Sequence, residues 1–318
     1  MRDYRPQSEK TRLDKVMQAF AQTRLGGKLF ITVFPAIDRK LMALTRGKLS
    51  FLTAALSVGV LALAADSAPA ATPPPPGANV PCQPTTAHPF PVVLVHGTAE
   101  NMFDNWQAMS PALKAAGYCV YAFNYGSYQG SGDVGIYGIN FIEQSAKELA
   151  SEVGSVLRET KARKVDLVGH SQGGMMPRYY IKNLGGGPKV DDLVGISPSN
   201  HGTTHPLANP LGPICPACAQ QAAGSPFITA LNSGDETPGR VDYTNLATRY
   251  DEVVTPYTSA FLASDGNAVT NITLQDKCPN DTSDHLATPY DPPAIAITLN
   301  ALGRSGPADP AYQPPCSG

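Results

Sequence analysis

The chain has 318 residues, 42% of them apolar and 16% charged, which suffices for one large α/β core or two smaller ones. Its formal charge of −2 is unevenly placed: through Lys48 there are 11 Lys and Arg against 4 Asp and Glu, and from Ala71 onward 13 against 21. A net acidic main portion excludes the basic footprint of a nucleic-acid binder, so no nucleic-acid partner is expected.

Leu49 to Ala65, LSFLTAALSVGVLALAA, is apolar throughout, follows Arg46 and Lys48, and precedes Ala68-Pro69-Ala70. A charged flank, an apolar run and a small-x-small site predict a secretory signal over residues 42–70. A retained membrane anchor is the rival, but the run lies at the short end for a span and Ala-x-Ala favours cleavage. Signals start at the initiator, so Met42 is the expected start, residues 1–41 are an over-extended frame or disordered, and the product is extracellular. Residues 71–81, rich in proline, read as a linker without means of burying a core, and the globular domain is expected over 82–318.

The first strand of that domain is predicted over Pro91–Val95 and runs into His96-Gly97-Thr98, a glycine turn with free amides. A helix over Asn105–Ala116, a strand over Tyr118–Asn124 and a long amphipathic helix over Ile139–Thr160 follow. Val165–Val168 is a short buried strand, and next comes Gly169-His170-Ser171-Gln172-Gly173, the G-x-S-x-G spacing. The glycines have a physical reason: a sharp strand-to-helix turn strains the serine, and neighbours two residues away must lack a Cβ. Gly174–Asn183 then reads as a helix, with Pro177 predicted to leave the Gly173 carbonyl without its partner and to cause a kink or recruit another donor.

Leu193–Ile196 is a further strand, after which residues 197–240, rich in Pro, Gly, Ala and Ser, form an insertion long enough to serve as a cap or lid. Strands over Tyr243–Ala247 and Val269–Leu274 and a closing helix over 291–302 complete the chain. Alternating strands and helices imply a mostly parallel sheet with right-handed crossovers and helices on both faces.

Cys82, Cys119, Cys215, Cys218, Cys278 and Cys316 agree with export if they pair, and six allow 15 pairings. Proximity in the expected fold favours Cys82 with Cys119 and Cys278 with Cys316, leaving Cys215 with Cys218. The C-x-x-C pair also admits a redox or zinc reading, with His201 and His205 upstream, but no second pair at finger spacing accompanies it.

A serine hydroxyl needs a base within hydrogen-bond reach, and the base needs an orienter. Of six histidines only His285 follows the last strand; His170, adjacent to Ser171, is expected to project elsewhere. Asp251 sits just past a strand end, with Glu252 and Asp242 as competitors. The order Ser171, Asp251, His285 is the serine, acid, histidine order of the α/β hydrolases.

GHSQGG, VHGTAENMFDNW, SPSNHGT, TRYDEVVTPY and DHLATPYDPPAIAITLNAL together resemble the secreted bacterial triacylglycerol lipases of the α/β-hydrolase superfamily, and the layout is similar to the B-type yeast lipase. The resemblance covers Cys82 to the C-terminus and implies an α/β-hydrolase fold with a small cap. By position it implies Ser171 as nucleophile, Asp251 as orienting acid and His285 as general base. The backbone amides of Thr98 and Gln172 become oxyanion-hole donors, with the Thr98 hydroxyl as a third donor, and family members with these cysteines suggest the pairings above.

The extra 41 residues and the lack of a long hydrophobic lid helix depart from the pattern and leave interfacial activation open. The function expected is carboxylic ester hydrolysis, as lipase or carboxylesterase, on a small-molecule ester or lipid, with contact to a lipid interface and as a monomer. A polyester or cutin-type depolymerase and an acyltransferase are alternatives within the same chemistry, and a non-catalytic secreted binding protein is the reading from another class. No dinucleotide fingerprint, Walker sequence or calcium loop is present, so neither cofactor nor metal is expected.

Overall fold

A computed structural model describes residues 72–127, 135–263 and 268–316. The predicted signal segment and residues 1–41 lie outside the described residues.

The described residues build a sheet of six parallel strands: β1 (Val92–Val95), β2 (Val120–Ala122), β3 (Val165–His170), β4 (Val190–Ile196), β5 (Asp242–Ala247) and β6 (Val269–Thr273). They lie in the order β2-β1-β3-β4-β5-β6, so β3 sits between β1 and β4, with Val93 opposite Leu167 and Leu167 opposite Leu193. All six residues of β3 are buried. The four residues of β1 are buried as well, and there the sequence VVLV is a continuous apolar run and not an alternation.

The pleat sends neighbouring residues to opposite faces, and each face has its own helices. Val93, Val95 and Leu167 pack with Ile142, Ala146, Leu149, Val153 and Val156, while Val92, Leu94, Val168 and Ile196 pack with Trp106, Met109, Leu113, Ile297 and Ala301. In chain order the helices are α1 (Met102–Asn105), α2 (Met109–Ala115), α3 (Ile142–Thr160), α4 (Gln172–Asn183), α5 (Pro216–Gln220), α6 (Pro226–Asn232), α7 (Leu274–Lys277) and α8 (Pro292–Leu302). The buried positions of α3 recur at steps of three and four residues, and the helix ends where Lys161 turns left-handed at φ 60°. Truncating Leu149 to alanine in this packing costs about 2–5 kcal/mol.

The helix expected over Asn105–Ala116 forms as α2 but starts later, at Met109, and is preceded by the separate short α1, capped by the Asn101 side chain, which accepts from the amides of Phe103 and Asp104. Pro177 does not interrupt α4. The Gly173 carbonyl that it deprives of a partner lies against Gly169, where a Cβ would come within 1.8 Å of that oxygen.

The segment read as a linker is docked from Pro75 onward. Ala78 is 2% exposed within the core, and the Ser110 hydroxyl donates to the Pro76 carbonyl at 2.8 Å. Asn79 donates to the Ala122 carbonyl and accepts from the Ala122 amide, both at 2.8 Å. An edge strand such as β2 leaves a row of polar groups to be paired, and Asn79 satisfies three of them, its own amide donating to the Val120 carbonyl at 2.9 Å, so the packed unit starts before Cys82.

Disulfides join Cys82 to Cys119, Cys215 to Cys218 and Cys278 to Cys316, and no described cysteine is free. The first fastens the entry segment beside β2, and the last fastens the C-terminal segment beyond α7. Each closes a loop of 37 or 38 residues, worth roughly 4 kcal/mol by loop entropy.

Candidate active site

Ser171 lies between the end of β3 and the start of α4, at φ 54° and ψ −121°, a conformation that L-residues rarely adopt. The turn survives because three backbones meet there without side chains between them. A Cβ on Gly173 would lie 2.0 Å from the Val95 carbonyl oxygen, as untenable as one on Gly169. The Ser171 amide donates to the Ile196 carbonyl at 2.9 Å, which fixes the turn to the neighbouring strand.

Asp251 follows β5 by four residues and is 8% exposed; His285 lies beyond α7 and is 2% exposed. His285 Nδ1 is 2.8 Å from Asp251 Oδ2, and Asp251 Oδ1 accepts from the amides of Val253 and Val254 at 3.0 and 2.7 Å. A carboxylate only accepts, so the proton of this contact sits on Nδ1 and Nε2 is left as a base. Of the competing acids, Glu252 is exposed and Asp242 begins β5 at the other end of the strand. Gln275 braces the two loops: its side-chain amide donates to the Thr248 hydroxyl at 2.9 Å, and the Thr248 hydroxyl donates to the Ser283 carbonyl at 2.6 Å.

Burial pulls the His285 pKa down, but the charge and hydrogen bond of Asp251, aided by Glu100 and Glu252, raise it overall above 6.5. His96 behaves in the opposite way. Burial takes it to about 4, and it stacks on Tyr125 with ring centres 4.2 Å apart, a neutral packing residue.

Gln172 opens α4, so its amide is among the helix N–H groups with no partner inside the helix. Its side chain donates to the Gly138 carbonyl at 2.9 Å. The Gln221 side-chain amide donates to the Thr98 hydroxyl oxygen at 2.8 Å, and the Gln221 oxygen accepts from the Ser199 hydroxyl at 2.7 Å. With its oxygen so engaged, the Thr98 hydroxyl keeps a proton to donate. Gln221 gave no sequence signal, since an Ala-Gln run in the 197–240 insertion has no distinctive spacing. That insertion is anchored on α3, where Gln220 accepts from the Ile142 amide at 2.7 Å and donates to Glu143 at 2.7 Å.

Among the described residues, the acids close enough to share a cation are Asp166, Asp191 and Asp192, whose ligand atoms lie within 4.8 Å of one another. They line a cavity of about 230 Å³ at the starts of β3 and β4, with His88, Tyr118 and Arg304, at the opposite strand ends from Ser171. Cys215 and Cys218 are bonded to each other, which removes the zinc reading for that pair.

A parallel sheet that lifts a serine on a strained strand-to-helix turn, with a buried imidazole–carboxylate pair on following loops, places the chain among the α/β hydrolases. Within that class it belongs to the family described as Lipase (class 2), which matches residues 89–295. It is 38% identical over 130 residues to a triacylglycerol lipase of Burkholderia plantarii, a stretch covering 39% of this chain and 33% of that protein. A triacylglycerol lipase of Pseudarthrobacter phenanthrenivorans is 38% identical over 95 residues, 28% of this chain and 27% of that one. The chain thus spans about a third of the length of these curated relatives. Among solved structures, Aspergillus fumigatus lipase B superposes with a TM-score of 0.61 at 27% identity, over 70% of this chain and 54% of that one. The propeptide form of Bacillus licheniformis lipase BlEst2, at 18% identity and a TM-score of 0.52 over 71% and 53% of the two chains, shares the fold.

Proposed function

We propose that this chain hydrolyses carboxylic esters, triacylglycerols among them, through an acyl-enzyme on Ser171. The observation that supports it most is the sealed 2.8 Å contact between His285 Nδ1 and Asp251 Oδ2, on loops following the strands whose sheet carries Ser171. His285 Nε2 takes the Ser171 proton as the hydroxyl oxygen attacks the ester carbonyl, and Asp251 stabilises the imidazolium that forms. The oxyanion is held by the amides of Thr98 and Gln172 together with the Thr98 hydroxyl. His285 returns its proton to the leaving alcohol. Water then attacks the acyl-enzyme by the same route, giving the acid and restoring Ser171.

Lipid substrates fit the surface. Ile136, Phe141, Ile214 and Leu286 are between 37% and 52% exposed, and Leu286 adjoins His285. An exposed apolar side chain beside the proposed base supports a lipid substrate. The three disulfides agree with an exported protein, and among the described residues no helix is long and apolar enough to cross a membrane. Export would use the 42–70 segment.

The test is turnover of p-nitrophenyl esters of increasing acyl length, with emulsified triglyceride alongside, by the wild type and by Ser171→Ala. The variant is expected to lose on the order of 10⁴-fold or more, because triad members act as a unit. Near-normal turnover refutes the nucleophile, and activity confined to short soluble esters removes the triacylglycerol reading.

A further inference from the structure

A second imidazole–carboxylate pair lies directly beneath the first. His170, adjacent to Ser171, has a side chain only 1% exposed, and its Nδ1 is 2.9 Å from Glu100 Oε2. Its Nε2 is 3.0 Å from the backbone carbonyl of His285, and the two rings lie 4.8 Å apart. A carbonyl only accepts, so His170 Nε2 carries the proton of that contact and donates it to the His285 carbonyl, while the Glu100 carboxylate faces Nδ1. The Asn105 amide nitrogen, 3.2 Å from the same Nδ1, makes the longer approach, and Asn105 is oriented by its oxygen, which accepts from the Gly97 amide at 3.0 Å.

Glu100 is seated for this contact. Its Oε2 also accepts from the Gly97 amide at 2.8 Å, and a Cβ on Gly97 would come within 2.3 Å of that oxygen. The glycine of the His96-Gly97 turn therefore makes room for a carboxylate. Burial raises the Glu100 pKa, but the facing His170, with His285 and His96 behind, lowers it overall.

Setting a carboxylate against a buried imidazole is a poor way to stabilise a fold, since an apolar pair of equal volume is often as good or better. What this pair does is hold one atom. The His285 carbonyl accepts from His170 Nε2 at 3.0 Å and from the Thr288 hydroxyl at 2.9 Å, while Asp251 holds the His285 ring. With backbone and ring both fixed, Nε2 has one direction left.

We infer that Glu100 and His170 are positioning residues: a partly exposed carboxylate and a buried imidazole that together set the His285 loop so that its Nε2 faces the nucleophile. The inference rests on the reading of His285 as the base. A displacement of the reacting groups by a fraction of a bond length costs rate and not substrate affinity.

Two measurements on the full folded enzyme test it. In protein carrying ¹⁵N-labelled histidine, the His170 ring is expected to show its proton on Nε2, shared with the His285 carbonyl; an unprotonated Nε2 overturns the arrangement, and needs no variant. In Glu100→Gln, kcat per titrated active site on a soluble p-nitrophenyl ester is expected to fall at least about tenfold, with KM within about twofold. A kcat per site within twofold of wild type overturns the inference, including the case where only the melting temperature or the fraction of active sites falls. Ser171→Ala measured in parallel separates the readings: if it stays active the catalytic assignment fails, whereas an inactive Ser171→Ala beside a normal Glu100→Gln removes the positioning pair alone.

Discussion

Asp251 and His285 meet at 2.8 Å with side chains 1% and 3% exposed, 34 residues apart in the chain. Two amides hold the other Asp251 oxygen, so the carboxylate cannot turn to face anything else. Asp251→Asn keeps the shape but presents an amide donor to Nδ1, which favours the wrong imidazole tautomer. Turnover is expected to drop by on the order of 10³- to 10⁴-fold with the fold intact. Circular dichroism and ester hydrolysis on the same preparation check it, and activity within tenfold of wild type would falsify the orienting role.

Activity and the stability due to this pair should run in opposite directions with pH. A general base works neutral, and the His285 pKa is raised above 6.5, so with His285 in the proposed role kcat/KM is expected to rise with a midpoint above 6.5. A folded-state pKa raised above the unfolded one stabilises the fold fully below 6.5, and that contribution fades as pH passes the folded value. A profile of kcat/KM and melting temperature between pH 5 and 9 checks both signs. An acidic limb centred below 6 contradicts the assignment.

The Thr98 hydroxyl accepts from Gln221 at 2.8 Å, which leaves its proton for an oxyanion. Thr98→Val removes that donor and retains the backbone amide. Since losing one oxyanion donor costs about 10²- to 10³-fold, and the proposed pair of backbone amides would remain, a fall in kcat of at least about tenfold is expected. Unchanged kcat would leave the backbone amides as the sole donors.

At the other end of the sheet, Asp192 Oδ1 is buried without a partner, and burial together with Asp166, Asp191 and Asp242 pushes its pKa up to about 10, against the pull of Lys164. Its folded state keeps a proton that the unfolded chain releases above about 4, so stability falls as pH rises from there. Asp192→Asn carries no charge at any pH and is expected to stabilise the fold near pH 8 by on the order of 1 kcal/mol, with little change near pH 4. Melting temperatures at both values decide it; a variant no more stable at pH 8 contradicts the account.

Much of the fold could be read from residue patterns because its causes are local. Buried parallel strands such as Val92–Val95 are continuous apolar runs, and Gly169 and Gly173 are forced by backbones that leave no space for a Cβ. What escaped acts by reach. Glu100 finds His170 across 70 residues, and Gln221 finds Thr98 across 123, distances at which no spacing rule operates. His170 was expected to project elsewhere, and it does avoid the base position, but it projects to the His285 carbonyl. Pro75 to Val80 has linker composition, yet Asn79 happens to match the free groups of an edge strand, which composition cannot reveal.

One hydroxyl among many, that of Ser171, is the proposed nucleophile. The most direct test is stoichiometric reaction with a fluorophosphonate, followed by peptide mapping by mass spectrometry. A single adduct on Ser171, formed in step with loss of esterase activity and absent after His285→Ala, is the expected result. Full activity in the labelled enzyme, or an adduct on another residue that tracks the loss, would contradict it.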